Sequence, residues 1–443
     1  MTCCFRVIEH VVPCQHIREY PYATATSQEE TLSLAVKQYV PLDNPNPQPG
    51  DVTIIGAHAN GFPKELYEPL WEEIHARSNQ AGFRIRSIWI ADVAHQGQSG
   101  VLNEYSLGND PSWYDNPRDL LHLINVKRDE IPRPIVGIGH SMGGNNIISL
   151  SVMHPRLLTT LILLDPVMNR LDVLDHKYSK QAKVNIPATT LASTYRRDLW
   201  PSRIAAENAL KRNKFYENWD QRVLKRFFKY GLRELPTALY PLDDDSANKP
   251  VGERPVTLTT TRHQEVLSFF RAAYGSKSEN GQTLNRTTHP DLDPNIYKSA
   301  FPFYRHEVAR TFEMLPFVRP SVLYLFADHS EVSNPKMNQD KMEQTGIAVG
   351  GSGGAAEGRV KGIVMKGVGH LIAMEAVNRT AELCTDQISG EMHRWRREEE
   401  QLSTAWNKKS SIEKMTIDQE WVKQVDLLDI RNTRKKTNPG AKL

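Results

Sequence analysis

The sequence predicts an α/β fold: a mostly parallel sheet with helices on both faces, interrupted by one large helical insertion. Three features of the 443 residues predict it. Short apolar runs of strand length recur along the chain. Amphipathic helical patterns separate several of them. The alternation then stops for one long stretch rich in charge and aromatic residues. Buried apolar strands joined through helices need crossover connections, which gives parallel pairing and a sheet covered on both sides.

The elements follow in order. Residues 31–40, TLSLAVKQYV, are β-branched and half-alternating, which predicts a strand. A proline- and asparagine-rich loop follows. DVTIIGAHA (51–59) is a short apolar run that predicts a buried strand, and KELYEPLWEEIHARS (64–78) has helical periodicity. IRSIWIADVA (85–94), PIVGIGHS (134–141) and TTLILLDPV (159–167) predict further strands, with the helix NNIISLSVMHPRLL (145–158) before the last of them. SVLYLFADH (321–329) and VKGIVMKGVGH (360–370) complete the sheet. Residues 1–168 are therefore expected to be the first part of a core and 320–390 its second part. Residues 169–319, inserted before the penultimate strand, read as a helical cap, and 391–443 as a charged tail. The glycine-rich run GIAVGGSGGAAEG (346–358) precedes a strand rather than a helix. A phosphate-binding loop needs a helix there, so this run reads as a flexible surface loop.

Composition removes several classes. Fifty-five basic and 52 acidic residues leave a net charge of +3, which predicts no nucleic-acid surface. No apolar stretch approaches the length of a membrane span. The N-terminus lacks a charged start followed by an apolar core, so no secretory signal is expected. The cysteines, Cys3, Cys4, Cys14 and Cys384, form neither a disulfide framework nor a metal knuckle, and a reducing compartment is predicted. No metal or redox cofactor is implied.

The sharpest motif is Gly139-His140-Ser141-Met142-Gly143, set between an apolar strand and a helix. A tight strand-to-helix turn holds such a serine in strained backbone angles, and larger neighbours would collide. The turn lifts the Ser141 hydroxyl to the sheet edge and aims the Met142 amide at a developing oxyanion. A serine hydroxyl needs a base. His370, at the end of the last apolar strand in Gly367-Val368-Gly369-His370, is expected to supply it. The acid is left open between Asp165, which ends the run LILL, and Asp328 or Glu331, which flank Ser330 in FADHSE. Its task is to orient the imidazole and stabilise imidazolium. A second oxyanion donor is expected from Asn60, or its neighbour Ala59, in the loop His58-Ala59-Asn60-Gly61-Phe62, with His58 bracing that loop. Asp92 to Ser99, DVAHQGQS, reads as a structural turn. The cap aromatics, among them Trp200, Phe215, Trp219 and Phe227, read chiefly as core.

Together these motifs resemble the α/β-hydrolase superfamily over residues 1 to about 390. HANGFPKELYEPLWEE, RSIWIADVAHQGQSG and RPIVGIGHSMGG, with the terminal AKL, resemble the fungal peroxisomal α/β-hydrolases of host-selective toxin biosynthesis, the AK-toxin and AF-toxin type. A yeast peroxisomal lipase is similar at greater distance. The resemblance implies an α/β-hydrolase fold and a peroxisomal enzyme of polyketide or fatty-acyl metabolism. A serine at position 330, where the superfamily pattern has its acid, departs from that pattern. Ala441-Lys442-Leu443 resembles the Ser-Lys-Leu peroxisomal address, so an import receptor is an expected partner. The expected reaction is cleavage of a carboxylic ester or acyl thioester of a small-molecule acyl substrate. Acyl transfer, lipase activity, or silent ligand binding on the same fold are the rivals. The sequence fixes neither the acyl chain nor the oligomeric state.

Overall fold

The computed structural model describes residues 4–170, 186–274, 276, 284–293 and 302–428. The terminal Ala441-Lys442-Leu443 lies outside the described residues. The chain divides into two compact units, Met1–Glu391 and Met392–Leu443.

The first unit is built on an eight-stranded sheet. Its strands are β1 (Phe5–Pro13), β2 (Ser33–Pro41), β3 (Val52–Ala57), β4 (Ile85–Ala91), β5 (Ile135–His140), β6 (Thr160–Leu164), β12 (Ser321–His329) and β13 (Val360–Gly369). Their order is β1-β2-β4-β3-β5-β6-β12-β13. The pairs β1–β2 and β2–β4 are antiparallel, and every later pair is parallel. Strands β3, β5 and β6 are buried at every residue, as continuous Val, Ile and Leu runs in a doubly covered sheet must be. The sheet packs on α1 (Glu68–Ser78), α2 (Gly97–Leu102), α3 (Asp115–Val126) and α4 (Met142–Met153). A contiguous core runs through Ile55, Trp89, Leu123, Ile147, Leu163 and Tyr324.

Strand β1 was not among the sequence expectations. Its outer residues are exposed in an alternating pattern and only Phe5 and Val12 are buried, so its apolar signal is thin at this sheet edge. Between β6 and β12 the expected helices occur, at Ala188–Tyr195, Arg203–Lys211, Gln221–Tyr230, Arg262–Phe269 and His306–Met314. Small strands accompany them. β7 (Leu199–Trp200), β8 (Leu232–Glu234) and β9 (Val256–Leu258) form a three-stranded sheet, and β10 (Arg271–Ala272) pairs with β11 (Phe303–Tyr304). The glycine-rich loop is tied down rather than loose: the amides of Gly346, Ala348 and Ser352 donate to the carbonyls of Leu315, Pro316 and Val318. No described helix is long and apolar enough to cross a membrane. The second unit contains the helix Gln419–Leu427, whose Trp421 and Leu427 are exposed.

Candidate active site

The turn after β5 has the tight geometry its glycines predict. Ser141 holds φ 56° and ψ −115°, a region that side-chain-bearing residues rarely occupy. A Cβ at Gly139 would lie 2.4 Å from the Gly143 carbonyl oxygen, and one at Gly143 would lie 2.1 Å from the Ala57 oxygen. Only glycine fits at either position. The Ser141 amide donates to the Leu164 carbonyl at 2.9 Å, which locks the turn to the end of β6.

Ser141, His370 and Asp165 come together there. Ser141 Oγ lies 2.8 Å from His370 Nε2, and His370 Nδ1 lies 2.7 Å from Asp165 Oδ2. Asp165 is fully buried. Its carboxylate also accepts the Ser330 hydroxyl at 2.6 Å, the Ala327 amide at 3.1 Å and the Ser333 hydroxyl. Burial works to raise its pKa, but the hydrogen bonds and charge of His370, with the bonds from Ser330 and Ser333, hold it below the usual carboxylate range. Asp165 also has a positive φ, 41°, and shares that region with Ser141 alone among the described non-glycine residues.

Asp328 is not part of this group. Its carboxylate accepts the Val368 amide at 3.3 Å and so braces the turn leading to His370. Glu375 does the same from the other side, accepting the Gly369 amide at 2.8 Å. Glu331 is exposed. The serines that surround Asp165 were missed by sequence reasoning. The one available signal was Ser330 itself, a hydroxyl standing where the pattern has an acid.

The loop after β3 lies against the same turn. The Ala59 amide donates to Tyr67 Oη at 2.8 Å, and the Ala59 carbonyl lies 2.9 Å from His58 Nδ1. Both polar backbone atoms of Ala59 are thus engaged, and Asn60 next to it lines the cavity over Ser141. Around it the DVAHQGQS turn does more than shape the chain. Gln96 accepts the Gly61 amide at 2.8 Å and donates to Asn60 Oδ1 at 2.6 Å and to Ser268 Oγ at 2.9 Å. Asp92 accepts both the Lys64 amide (2.8 Å) and the Lys64 ammonium (2.7 Å).

Asn60, Ser141, Met142 and His370 share a cavity of about 1830 Å³. Its far wall comes from the segment between β6 and β12 and includes Trp200, Phe215, Phe270 and Phe303. Trp219 and Phe227 stand behind this wall, with ring centroids 5.7 Å apart. The cap aromatics are thus both core and lining.

A parallel sheet with this strand order, a serine on a strained turn after β5 and a histidine after the last strand define an α/β hydrolase. Residues 54–383 match the alpha/beta hydrolase family, and the chain belongs to it. It is an enzyme of the ester or thioester hydrolase class. It is 40% identical over 449 residues to the type I acyl-CoA thioesterase mpaH′ of Penicillium brevicompactum, with 99% of each chain covered. It is 28% identical over 257 residues to the abhydrolase domain-containing protein AKT2 of Alternaria alternata, covering 58% of this chain and 83% of that one. Among solved structures it is similar in fold to the peroxisomal α/β-hydrolase Lpx1 of Saccharomyces cerevisiae. That match has a TM-score of 0.64 and 16% identity, and covers 100% of both chains. The resemblance read from the motifs therefore holds.

Proposed function

We propose that this enzyme hydrolyses acyl-CoA thioesters through a Ser141–His370–Asp165 triad, in the peroxisome and in secondary acyl metabolism. The observation that carries the reading is the unbroken hydrogen-bonded line from Ser141 Oγ through His370 to the buried Asp165 carboxylate. Identity over the full length to a protein named as a type I acyl-CoA thioesterase supports the thioester as substrate.

Each group has a definite task. Ser141 Oγ attacks the thioester carbonyl carbon while its proton passes to His370 Nε2. The carbonyl oxygen becomes an oxyanion and takes hydrogen bonds from the Asn60 and Met142 amides. A donor of this kind is worth about 3–4 kcal/mol in the transition state. Asp165 holds the imidazole in the Nδ1–H tautomer and stabilises the imidazolium without taking its proton. Collapse of the tetrahedral intermediate breaks the carbon–sulfur bond, and the CoA thiolate leaves with the proton from His370. Water then attacks the acyl-enzyme with His370 as base, releasing the carboxylic acid and regenerating Ser141.

The test is release of free thiol from a panel of acyl-CoA esters. The wild type is expected to turn them over, and Ser141→Ala to lose at least about 10⁴-fold in kcat. A protein that cleaves oxygen esters but no acyl-CoA would overturn the thioester assignment. For the compartment, a tagged protein lacking Ala441-Lys442-Leu443 should remain in the cytosol, and unchanged peroxisomal import would remove that assignment.

A further inference from the structure

Beneath the reacting groups runs a second hydrogen-bonded chain whose two linking side chains lie outside the cavity wall. Tyr67 and His140 are 2% and 0% exposed, and neither lines the cavity. The Ala59 amide donates to Tyr67 Oη at 2.8 Å, Tyr67 Oη lies 2.9 Å from His140 Nδ1, and His140 Nε2 lies 2.9 Å from the His370 carbonyl oxygen. Its ends force its protons. A backbone amide can only donate and a carbonyl can only accept. His140 therefore carries its proton on Nε2, and its bare Nδ1 accepts the Tyr67 hydroxyl. Burial, and then the neighbouring His370, push the pKa of His140 down to about 3, so the ring stays neutral.

The same logic fixes His58. The Val93 amide donates to its Nε2 at 2.9 Å, so Nδ1 bears the proton and donates to the Ala59 carbonyl. In a trans peptide the carbonyl and the following N–H point in opposite directions. Holding the Ala59 carbonyl thus sets the direction of the Asn60 amide. One end of the Tyr67–His140 chain holds the amide of Ala59, whose carbonyl His58 holds, and the other grips the backbone carbonyl of His370.

We propose that Tyr67 and His140 are positioning residues: a chain of fixed tautomer that holds the Ala59 loop, which carries the Asn60 amide, and the His370 backbone, which carries the imidazole, in one register around Ser141 Oγ. This rests on the reading that Ser141 and His370 are the reacting pair. Neither residue meets substrate, so their loss acts on the chemical step and not on binding. Removing the Tyr67 hydroxyl also frees His140 to invert its tautomer, which would turn a bare nitrogen against the His370 carbonyl.

The test compares Tyr67→Phe, His140→Gln and the double variant with the wild type. Acyl-CoA turnover and the rate at which a fluorophosphonate labels Ser141 are both measured. We expect kcat and labelling to fall together by about 10–100-fold, as a misplacement of an ångström or less costs. KM should stay within about threefold, and the double variant should be no slower than the slower single one. The imidazole ¹⁵N pattern of His140, assigned in the wild type by through-bond correlation to its own backbone, should report the neutral Nε2–H form from pH 5 to 9. A folded Tyr67→Phe protein with wild-type kcat and labelling, or an Nδ1–H or imidazolium pattern for His140, would overturn the proposal. The spectrum is read on the wild type, so a variant that fails to fold leaves the test decisive. A wild type that does not label at Ser141 would instead overturn the triad reading.

Discussion

Ser141 and Asp165 both have a positive φ, which few side-chain-bearing residues adopt, and strain of this sort persists only where surrounding bonds impose it. The imposing bonds run between them: the Ser141 amide holds the Leu164 carbonyl, and the Val167 amide holds the Ser141 carbonyl at 3.2 Å. Asp165→Asn keeps size and backbone tolerance but loses the charge that fixes the His370 tautomer. It should therefore lower kcat by about 10⁴ while the protein stays folded, as read by acyl-CoA turnover beside circular dichroism. Ser330 gives a sharper test. It reaches the same Asp165 oxygen that His370 reaches. A carboxylate placed there should serve the imidazole, so Ser330→Asp in the Asp165→Asn background should recover at least about tenfold of the lost turnover. No recovery would show that position 330 cannot carry the acid. Lys341 is a different residue-scale case. It is fully buried, its ammonium donates to the Val332 carbonyl at 3.4 Å, and burial pushes its pKa from 10.5 down to about 8. Below about pH 8 folded and unfolded chains both hold the proton, and the cost of burying it is constant. From there up to 10.5 the unfolded chain holds a proton that the folded chain has lost, so stability rises with pH. Lys341→Met should raise the unfolding midpoint at pH 7 by at least roughly 2 °C and flatten that rise. An unchanged or lowered midpoint would contradict the burial cost. Ser141 and His370 were legible at this scale because strand, turn and glycine spacing are local. The choice among Asp165, Asp328 and Glu331 was not. It depends on which carboxylate four separate donors converge upon, and that convergence exists only after folding.

At the scale of elements, the β5–α4 turn and the β3 loop fit together without spare volume. Gly143→Ala would drive a methyl into the Ala57 carbonyl, a backbone atom that cannot give way without moving β3. That variant should lose fluorophosphonate labelling of Ser141 even where it folds; full labelling would mean the two segments are looser than their contact implies. The main sheet strands and the helices Glu68–Ser78 and Met142–Met153 could be read from apolar runs and helical periodicity. Strand β1 and the short strands β7 to β11 could not. An edge strand buries too little to show a pattern, and two or three residues carry no period at all. The DVAHQGQS turn was legible as a turn. That its Gln96 would reach Asn60 and, from the helix Arg262–Phe269, Ser268 depends on contacts across 36 and 172 residues of sequence.

At the scale of the whole first unit, a cavity of about 1830 Å³ over the serine exceeds the roughly 300–1,000 Å³ usual for small-molecule sites. Its lining includes Phe62, Trp113, Trp200 and Phe303, so bulky apolar acyl groups should gain more than small ones. Each buried methylene contributes about 0.8 kcal/mol. We therefore expect kcat/KM to climb at least about tenfold from acetyl-CoA to decanoyl-CoA, and a flat series would show that the cavity does not receive the acyl chain. Passage of the acyl group through a covalent bond to Ser141 can be caught by trapping. Acyl-CoA is mixed with the enzyme, quenched in acid within milliseconds and digested, and the peptides are weighed. In the wild type the acyl mass should appear on the peptide carrying Ser141, with neither adduct nor turnover in Ser141→Ala. An adduct on another residue, or thiol release that persists in Ser141→Ala, would contradict it.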